Sequence, residues 1–414
     1  MTTARRPGPD APRRRPKDRK AQIAKASADA FSAMGYHGVS MEDIASRVGI
    51  TAAALYRHSS SKYELFRDAV LTLGQHLVDC TAIAEDITDP QARLDALVDR
   101  LTETAIAYRT PGGLYRWEGR YLRDDDQAAL MDQIKLVNRR LQQPLAQLRP
   151  ELTSRERWTL SSAALSVIGS VADHRAQLAV PEIARVLSGL ASDVLATTLP
   201  TGPLDDETFT LPADSTRAGK YEALLHESLV LFNKQGFRET SMEDIAAAVG
   251  IQPSGIYRYF PSKGDILAAS YRRAADRVSG DLAGILAETT DPEQALVRLI
   301  DAYVARSFRD PELAYVYYTE RVNLPPVDRV ALRNIQRSTV ESWAGLVAAA
   351  RSDFTPAHAR FAVHAALALV VDLGRLVQYD DTEYSRYSRA CVRRLMQTAL
   401  LDKTAVPRLA SPPG

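Results

Sequence analysis

Tyr257, Arg258 and Ser254 lie within five positions of one another in the stretch Ser241–Lys263, SMEDIAAAVGIQPSGIYRYFPSK. A phenol, a guanidinium and small polar groups on so short a segment have little reason to be core. They suit a helix laid in the major groove of DNA, where hydrogen-bonding side chains meet base edges. The flanking residues say how such a helix is held. Ser241 is an N-cap with Asp244 three residues on, a capping box that opens a preceding helix. Ile245, Ala246 and Val249 share one face of that helix at helical spacing. Gly250 stands where a left-handed residue is wanted to end it. Pro253 suits the first position of the next helix, and Ile256 turns back into the pair. Ser262 with Asp265 then caps a third helix, and Lys263 in its first turn marks a phosphate seat.

This stretch resembles the TetR family of bacterial transcriptional regulators, whose pattern is T/S-x-x-x-I-A-x-x-A-G-V-S-x-x-x-L-Y-x-H-F-x-x-K. Val249-Gly250-Ile251 replaces A-G-V, and Tyr259 replaces the histidine. The same stretch occurs earlier. Shifting Ser40–Lys62 by 201 residues superposes Ser40 to Ala45, Val48 to Ile50, Tyr56, Arg57, Ser61 and Lys62 on identical residues without a gap. Such density marks an internal duplication. The pattern assigns to DNA Ser40, Thr51, Ala52, Ala53, Tyr56, Arg57, His58 and Lys62 in copy one. In copy two it assigns Ser241, Gln252, Pro253, Ser254, Gly255, Tyr257, Arg258, Tyr259 and Lys263. The resemblance implies that His58 contacts phosphate.

The copies differ where specificity is expected. Thr51, Ala52, Ala53 and Ala54 stand in place of Gln252, Pro253, Ser254 and Gly255. Alanines meet thymine methyls at best and make no hydrogen bonds to bases. Ser59 and Ser60 replace Phe260 and Pro261, which removes an aromatic buttress behind the first reading helix, although Ser61 with Glu64 still forms a capping box. The first head is therefore expected to rely more on backbone contact and to discriminate sequences less.

Composition agrees with a globular chain, at 45% hydrophobic and 25% charged residues. The net charge of +1 hides an asymmetry: residues 1–25 hold nine Arg or Lys against two Asp. A local field of that size favours phosphate. Two distant cysteines, Cys80 and Cys391, argue for a reducing compartment. No run of about 18 apolar residues offers a membrane span, and a cytoplasmic location is expected. Nucleophile elbows, phosphate loops, metal-protease motifs and clustered carboxylates are lacking, so the chain does not read as an enzyme, and neither cofactor nor metal is expected. The histidines His37, His58, His76, His174, His226, His358 and His364 are scattered.

The organisation follows: an all-α chain of two tandem units, each a helix-turn-helix domain followed by a helical bundle. Expected boundaries are a basic disordered arm at 1–17, reading heads at 18–66 and 217–267, bundles at 67–199 and 268–402, a linker at 200–216 and a tail at 403–414. Proline breaks recur at an offset of about 202, and Leu94, Asp99, Glu118 and Leu122 fall on Leu296, Asp301, Glu320 and Leu324. The resemblance further implies pairing through a four-helix bundle, here Thr153–Gln177 with Glu182–Thr198 and Thr355–Gln378 with Thr382–Leu400. A duplicated chain can form it internally, as a pseudo-dimer reading unlike half-sites of operator DNA; pairing of like copies between chains, as a homodimer, is the alternative. The resemblance also implies a small-molecule effector, apolar or acyl-CoA-like, that releases a repressor. Trp117, Arg120 and Tyr121 are candidates to line its pocket in copy one, and Tyr303, Tyr315, Tyr318, Arg321, Asn323 and His364 in copy two. A helical adaptor that has lost specific DNA binding in one copy is the second reading.

Overall fold

The computed structural model describes residues 16–82, 87–201, 219–376 and 383–402, without side chains at 16–18, 314, 315 and 383–385. The arm, linker and tail expected at 1–17, 200–216 and 403–414 fall almost wholly outside these residues. Among the described residues every regular element is helical, and no helix is long and apolar enough to cross a membrane.

Copy one runs through α1 (Pro16–Gly38), α2 (Met41–Val48), α3 (Ala52–Leu55), α4 (Lys62–Ala82), α5 (Pro90–Ala107), α6 (Asp124–Leu148), α7 (Ser154–Gly169) and α8 (Val180–Ala196). Copy two repeats the order: α9 (Lys220–Gln235), α10 (Met242–Val249), α11 (Pro253–Ile256), α12 (Lys263–Glu288) and α13 (Pro292–Arg309). After α14 (Pro311–Glu320) come α15 (Pro326–Ala350), α16 (Pro356–Leu376) and α17 (Glu383–Leu400). Where copy two has α14, copy one has only a wide turn at Leu114–Glu118 and a tight one at Gly119–Tyr121. Prolines open α13, α14 and α15, where a missing N–H costs nothing.

The chain divides into two compact units, residues 1–75 with 110–132, and 76–109 with 133–414. In the first unit, Phe31 and Phe66 meet edge to face at 5.3 Å between centroids. Around them Ile23, Ala30, Ile44, Ala45 and Leu55 are buried. Tyr63 donates to Asp126 Oδ2 at 2.7 Å and accepts from the Arg123 N–H at 2.9 Å, which ties the start of α4 to the start of α6.

The second unit holds two cores. One, of Leu224, Phe232, Ile245, Ile256, Phe260 and Leu267 with their neighbours, belongs to α9–α12. The other is larger and joins residues of α5, α7 and α8 to residues of α13 and α15–α17. At its centre α7 and α8 pack on α16 and α17. Ala163, Ala164, Ala365 and Ala366 are fully buried there, and such small side chains let helices approach closely. Polar groups cross between copies. Ser166 Oγ donates to Asp372 Oδ2 at 2.7 Å and Thr197 Oγ1 to Thr398 Oγ1 at 3.0 Å. The first helix of the expected Thr153–Gln177 stretch is shorter than the sequence suggests, ending in a tight turn at Ser170–Ala172.

Candidate nucleic-acid interface

Each reading head begins with a reciprocal cap. The Ser40 N–H donates to Asp43 Oδ2 at 2.8 Å, and the Asp43 N–H donates to Ser40 Oγ at 3.1 Å. Ser241 and Asp244 repeat this at 2.8 and 3.0 Å. The serine hydroxyl and N–H hold both carboxyls below the usual aspartate range. Both serine hydroxyls also donate to these carboxylates. Ser40 and Ser241, assigned to DNA by the pattern, thus use their hydroxyls in the cap.

The turn is set by glycine. Gly49 and Gly250 both sit at φ 70°, with ψ of 40° and 37°, in the left-handed region, where a Cβ is strained. Their N–H groups return to Ala45 and Ser46, and to Ala246 and Ala247. The chain then enters the four-residue helices α3 and α11, anchored by fully buried Leu55 and Ile256. Everything else on these helices is turned outward. Tyr56 and Tyr257 are 53% and 52% exposed, and Arg57, His58, Arg258 and Tyr259 are exposed beside them. Large exposed aromatics next to cations at matching places in both copies form a surface ready to meet a polyanion.

The heads are not chemically equal. Thr51 Oγ1 accepts from the Ala54 N–H at 3.1 Å, so its hydroxyl is engaged as a cap. Gln252 occupies the same place without a side-chain cap bond and is exposed. Its amide is free to offer a donor and an acceptor together, the pair that matches adenine. Pro253 and Ser254 are exposed and Gly255 half-exposed; Ala53 is exposed and Ala52 half-exposed.

Behind the reading helices the expected loss of a buttress has a polar substitute. Phe260 is 4% exposed and lies 5.1 Å from the Tyr221 ring. Ser59, at 9% exposure, instead donates to the Ser61 carbonyl at 3.3 Å and to Glu64 Oε2 at 3.1 Å. Glu64 also accepts from the Ser60 N–H at 2.7 Å. The first head is thus braced by hydrogen bonds in place of an aromatic ring.

Lys62 was assigned to DNA and Lys263 to a phosphate seat, and the structure turns both side chains inward. Lys263 Nζ donates to the carbonyls of Phe237, Arg238 and Thr240 at 2.6, 3.0 and 2.7 Å and lies over the Phe237 ring. Lys62 Nζ donates to the Tyr36 carbonyl at 3.1 Å, over the Tyr36 ring. Burial holds the Lys263 ammonium below its usual pKa. Lys263 satisfies carbonyls of the loop after α9, and Lys62 one just past the break at Gly35 in α1; sequence spacing predicts their position but not the direction of the side chain.

The effector candidates are dispersed. In the first unit Tyr121 stacks on Tyr36 at 5.8 Å and accepts from Arg120 at 2.7 Å, and Trp117 is buried. In the second, Tyr303 meets the fully buried Trp343 edge to face at 5.9 Å. Tyr318 meets Tyr317, Asn323 donates to Glu320 at 2.7 Å, and Arg321 is exposed. The Tyr315 side chain lies outside the described residues. A charged cleft does exist, lined by Glu222, His226, Arg273, Arg277 and Asp310 among others, and it contains none of the candidates. His364 stacks its ring on His174 of copy one, 3.9 Å between centroids and 3° from parallel. Arg109, His174 and Phe361 complete that corner and were not singled out by the sequence, because their partners are up to 252 positions away.

Comparison with known proteins agrees with this geometry. Residues 23–69 and 224–270 match the model of bacterial regulatory proteins, tetR family. The HTH-type transcriptional repressor KstR2 of Rhodococcus jostii (strain RHA1) is 28% identical over 145 residues, covering 34% of this chain and 71% of that protein. The HTH-type transcriptional activator FasR of Mycolicibacterium smegmatis (strain ATCC 700084 / mc(2)155) is 32% identical over 118 residues, or 28% of this chain and 53% of that protein. A solved TetR-family regulator from Bordetella parapertussis 12822 aligns with 21% identity and a TM-score of 0.39, covering 44% of this chain and 93% of that one. Two capped, glycine-broken helix pairs with exposed reading helices, each matched by the family's DNA-binding model, make this chain a tandem member of the TetR family of DNA-binding transcriptional regulators.

Proposed function

We propose that the chain acts as a single-chain pseudo-dimer that represses transcription from an operator with two unlike half-sites and leaves it when a small effector binds. The observation that carries the pairing is the Thr197–Thr398 bond. These residues are 201 apart, the duplication offset of the reading heads. A residue that meets its own counterpart is what a two-fold axis produces, so the α7–α8 and α16–α17 pairs take the places of two subunits.

Unlike half-sites follow from unlike heads. Gln252 and Ser254 bring hydrogen-bonding groups to one, while Ala52 and Ala53 bring methyl groups to the other. The repressor direction rests on the name of one relative, the other being named an activator. The effector reading rests on family membership and on the aromatic side chains of both copies, Trp117 and Tyr121 in one, Tyr303 and Tyr318 in the other.

Light scattering across concentration tests the pairing: a constant mass near 45.5 kDa is expected, and a mass twice that would place like copies in different chains. Footprinting on DNA upstream of the protein's own gene tests the reading. A footprint over two dissimilar half-sites is expected, and a perfect palindrome would overturn the unlike-head argument.

A further inference from the structure

We propose that the surface joining the copies is coded for unlike partners, so that copy one fits copy two and neither copy fits itself. The inference rests on the pseudo-dimer reading and adds the residues that enforce it.

The duplication makes the argument possible. From α5 through α7 the copies align with α13 and α16 at an offset of 202 (Leu94 on Leu296, Ala163 on Ala365), and along α8 and α17 at 201 (Thr197 on Thr398, Leu199 on Leu400), so each observed contact predicts the contact that two like copies would make. Ser166 donates to Asp372 at 2.7 Å. By the offset Ser166 corresponds to Ala368, and Asp372 to Ser170. Two second copies would therefore set Asp372 against Ala368, twice, and each carboxylate would lose its hydroxyl donor to a methyl group. Losing a hydrogen bond to a charged acceptor weakens such a pairing.

The second contact is stronger because four residues depend on it. His174 stacks on His364, meets Phe361 edge to face at 4.9 Å and is 7% exposed. Arg109 Nη2 lies 3.3 Å from His174 Nδ1, and its guanidinium stands over Phe361, 5.6 Å from the centroid. Copy one supplies Arg109 and His174; copy two supplies Phe361 and His364. The corresponding residues are Pro311 and Leu376 in copy two, and Thr159 and Ser162 in copy one. Neither like pair can assemble this corner. Two first copies would face His174 with Thr159 and Ser162, and two second copies would face Leu376 with Phe361 and His364. Thr197 with Thr398, by contrast, would be reproduced in any pairing. It marks the axis, and the other two contacts discriminate.

The consequence is an interaction surface whose partner is the other half of the same chain. It excludes swapped assemblies in which two identical heads share one operator.

Cysteine reporters on the axis test this in the full-length chain. With Thr197→Cys and Thr398→Cys together, mild oxidation after refolding at high concentration is expected to give an intrachain disulfide and a monomeric chain. With Thr398→Cys alone, disulfide dimers should stay at the background of the chain without the reporter. The code is then erased by giving each marker the residue of the other copy, His174→Leu with Asp372→Ser. Refolded near the roughly millimolar effective concentration of a tethered partner, this chain with Thr398→Cys should form disulfide dimers about fivefold or more above the unerased chain. Asp372→Ser alone, at a half-buried position, should give a smaller rise and serves if the double variant does not fold. No rise in either, with the intrachain disulfide intact, would overturn the code while leaving the pseudo-dimer standing. Interchain linkage of the double reporter before any erasure would instead remove the pseudo-dimer itself.

Discussion

Tyr257 and Arg258 leave α11 beside an uncommitted Gln252, whereas Tyr56 and Arg57 leave α3 beside a threonine occupied by its own helix. Base readout by a bidentate side chain is worth about 1–3 kcal/mol. Arg258→Ala is therefore expected to weaken operator binding by roughly 10- to 100-fold, and Arg57→Ala by less, in gel shifts at matched salt; equal losses would remove the ranking of the heads. The lysines behave differently. Because Lys263 serves three carbonyls, Lys263→Met is expected to lower stability by about 1–3 kcal/mol in urea unfolding. The salt dependence of DNA binding by the folded protein should be unchanged. A fall of about one in the log–log salt slope would show that the ammonium meets a phosphate after all.

At the scale of the element, Gly250 and Gly255 of the second head separate backbone need from open space. Gly250 sits at φ +70°, so Gly250→Ala is strained although nothing lies within 4 Å of the added methyl, and a loss of about 1–2 kcal/mol is expected. Gly255 has an ordinary φ and equally open surroundings. Gly255→Ala should leave stability unchanged or raise it by up to about 1 kcal/mol, copying Ala54 of the first head. A thermal melt distinguishes the two variants, and a similar loss in both would contradict the conformational argument. The caps and breaks of these elements were readable in the residue order, since each involves partners three to five positions apart. The polar brace at Ser59 was not, although it is equally local: Glu64 was assigned to a capping box with Ser61, whereas its carboxylate meets Ser59 and the Ser60 N–H.

At the scale of the molecule, the bundle joining the copies carries a pH dependence. Burial first, then the neighbouring His364 and the guanidinium groups of Arg109 and Arg175, hold His174 well below the usual histidine range. Burial and Arg109 lower His364 to about 4, opposed by Glu341. A histidine with a depressed folded pKa stays neutral in the native state while its unfolded counterpart protonates. Stability is then fully present above about pH 6.5 and declines as pH falls below it, for His364 until about pH 4. The caps at Asp43, Asp244 and Glu64 have lowered carboxyl pKa values, so they weaken only at lower pH. Denaturant midpoints between pH 7 and 5 should fall in the native chain and flatten in a His364→Gln variant. An unchanged slope in that variant would show that the pair is already protonated or open to solvent.

The order of residues by itself determined the two heads, their caps, their glycine turns and the duplication, because helix starts and stops are local physics between neighbours along the chain. It also placed Tyr257 and Arg258 outward, since Ile256 must be inward. Only the tertiary structure decided what each polar atom touches. Lys263 turns to carbonyls 23 to 26 residues upstream, and His174 finds His364 across the bundle. Such contacts depend on how whole helices approach one another, a balance of packing over many side chains that no short window of sequence contains.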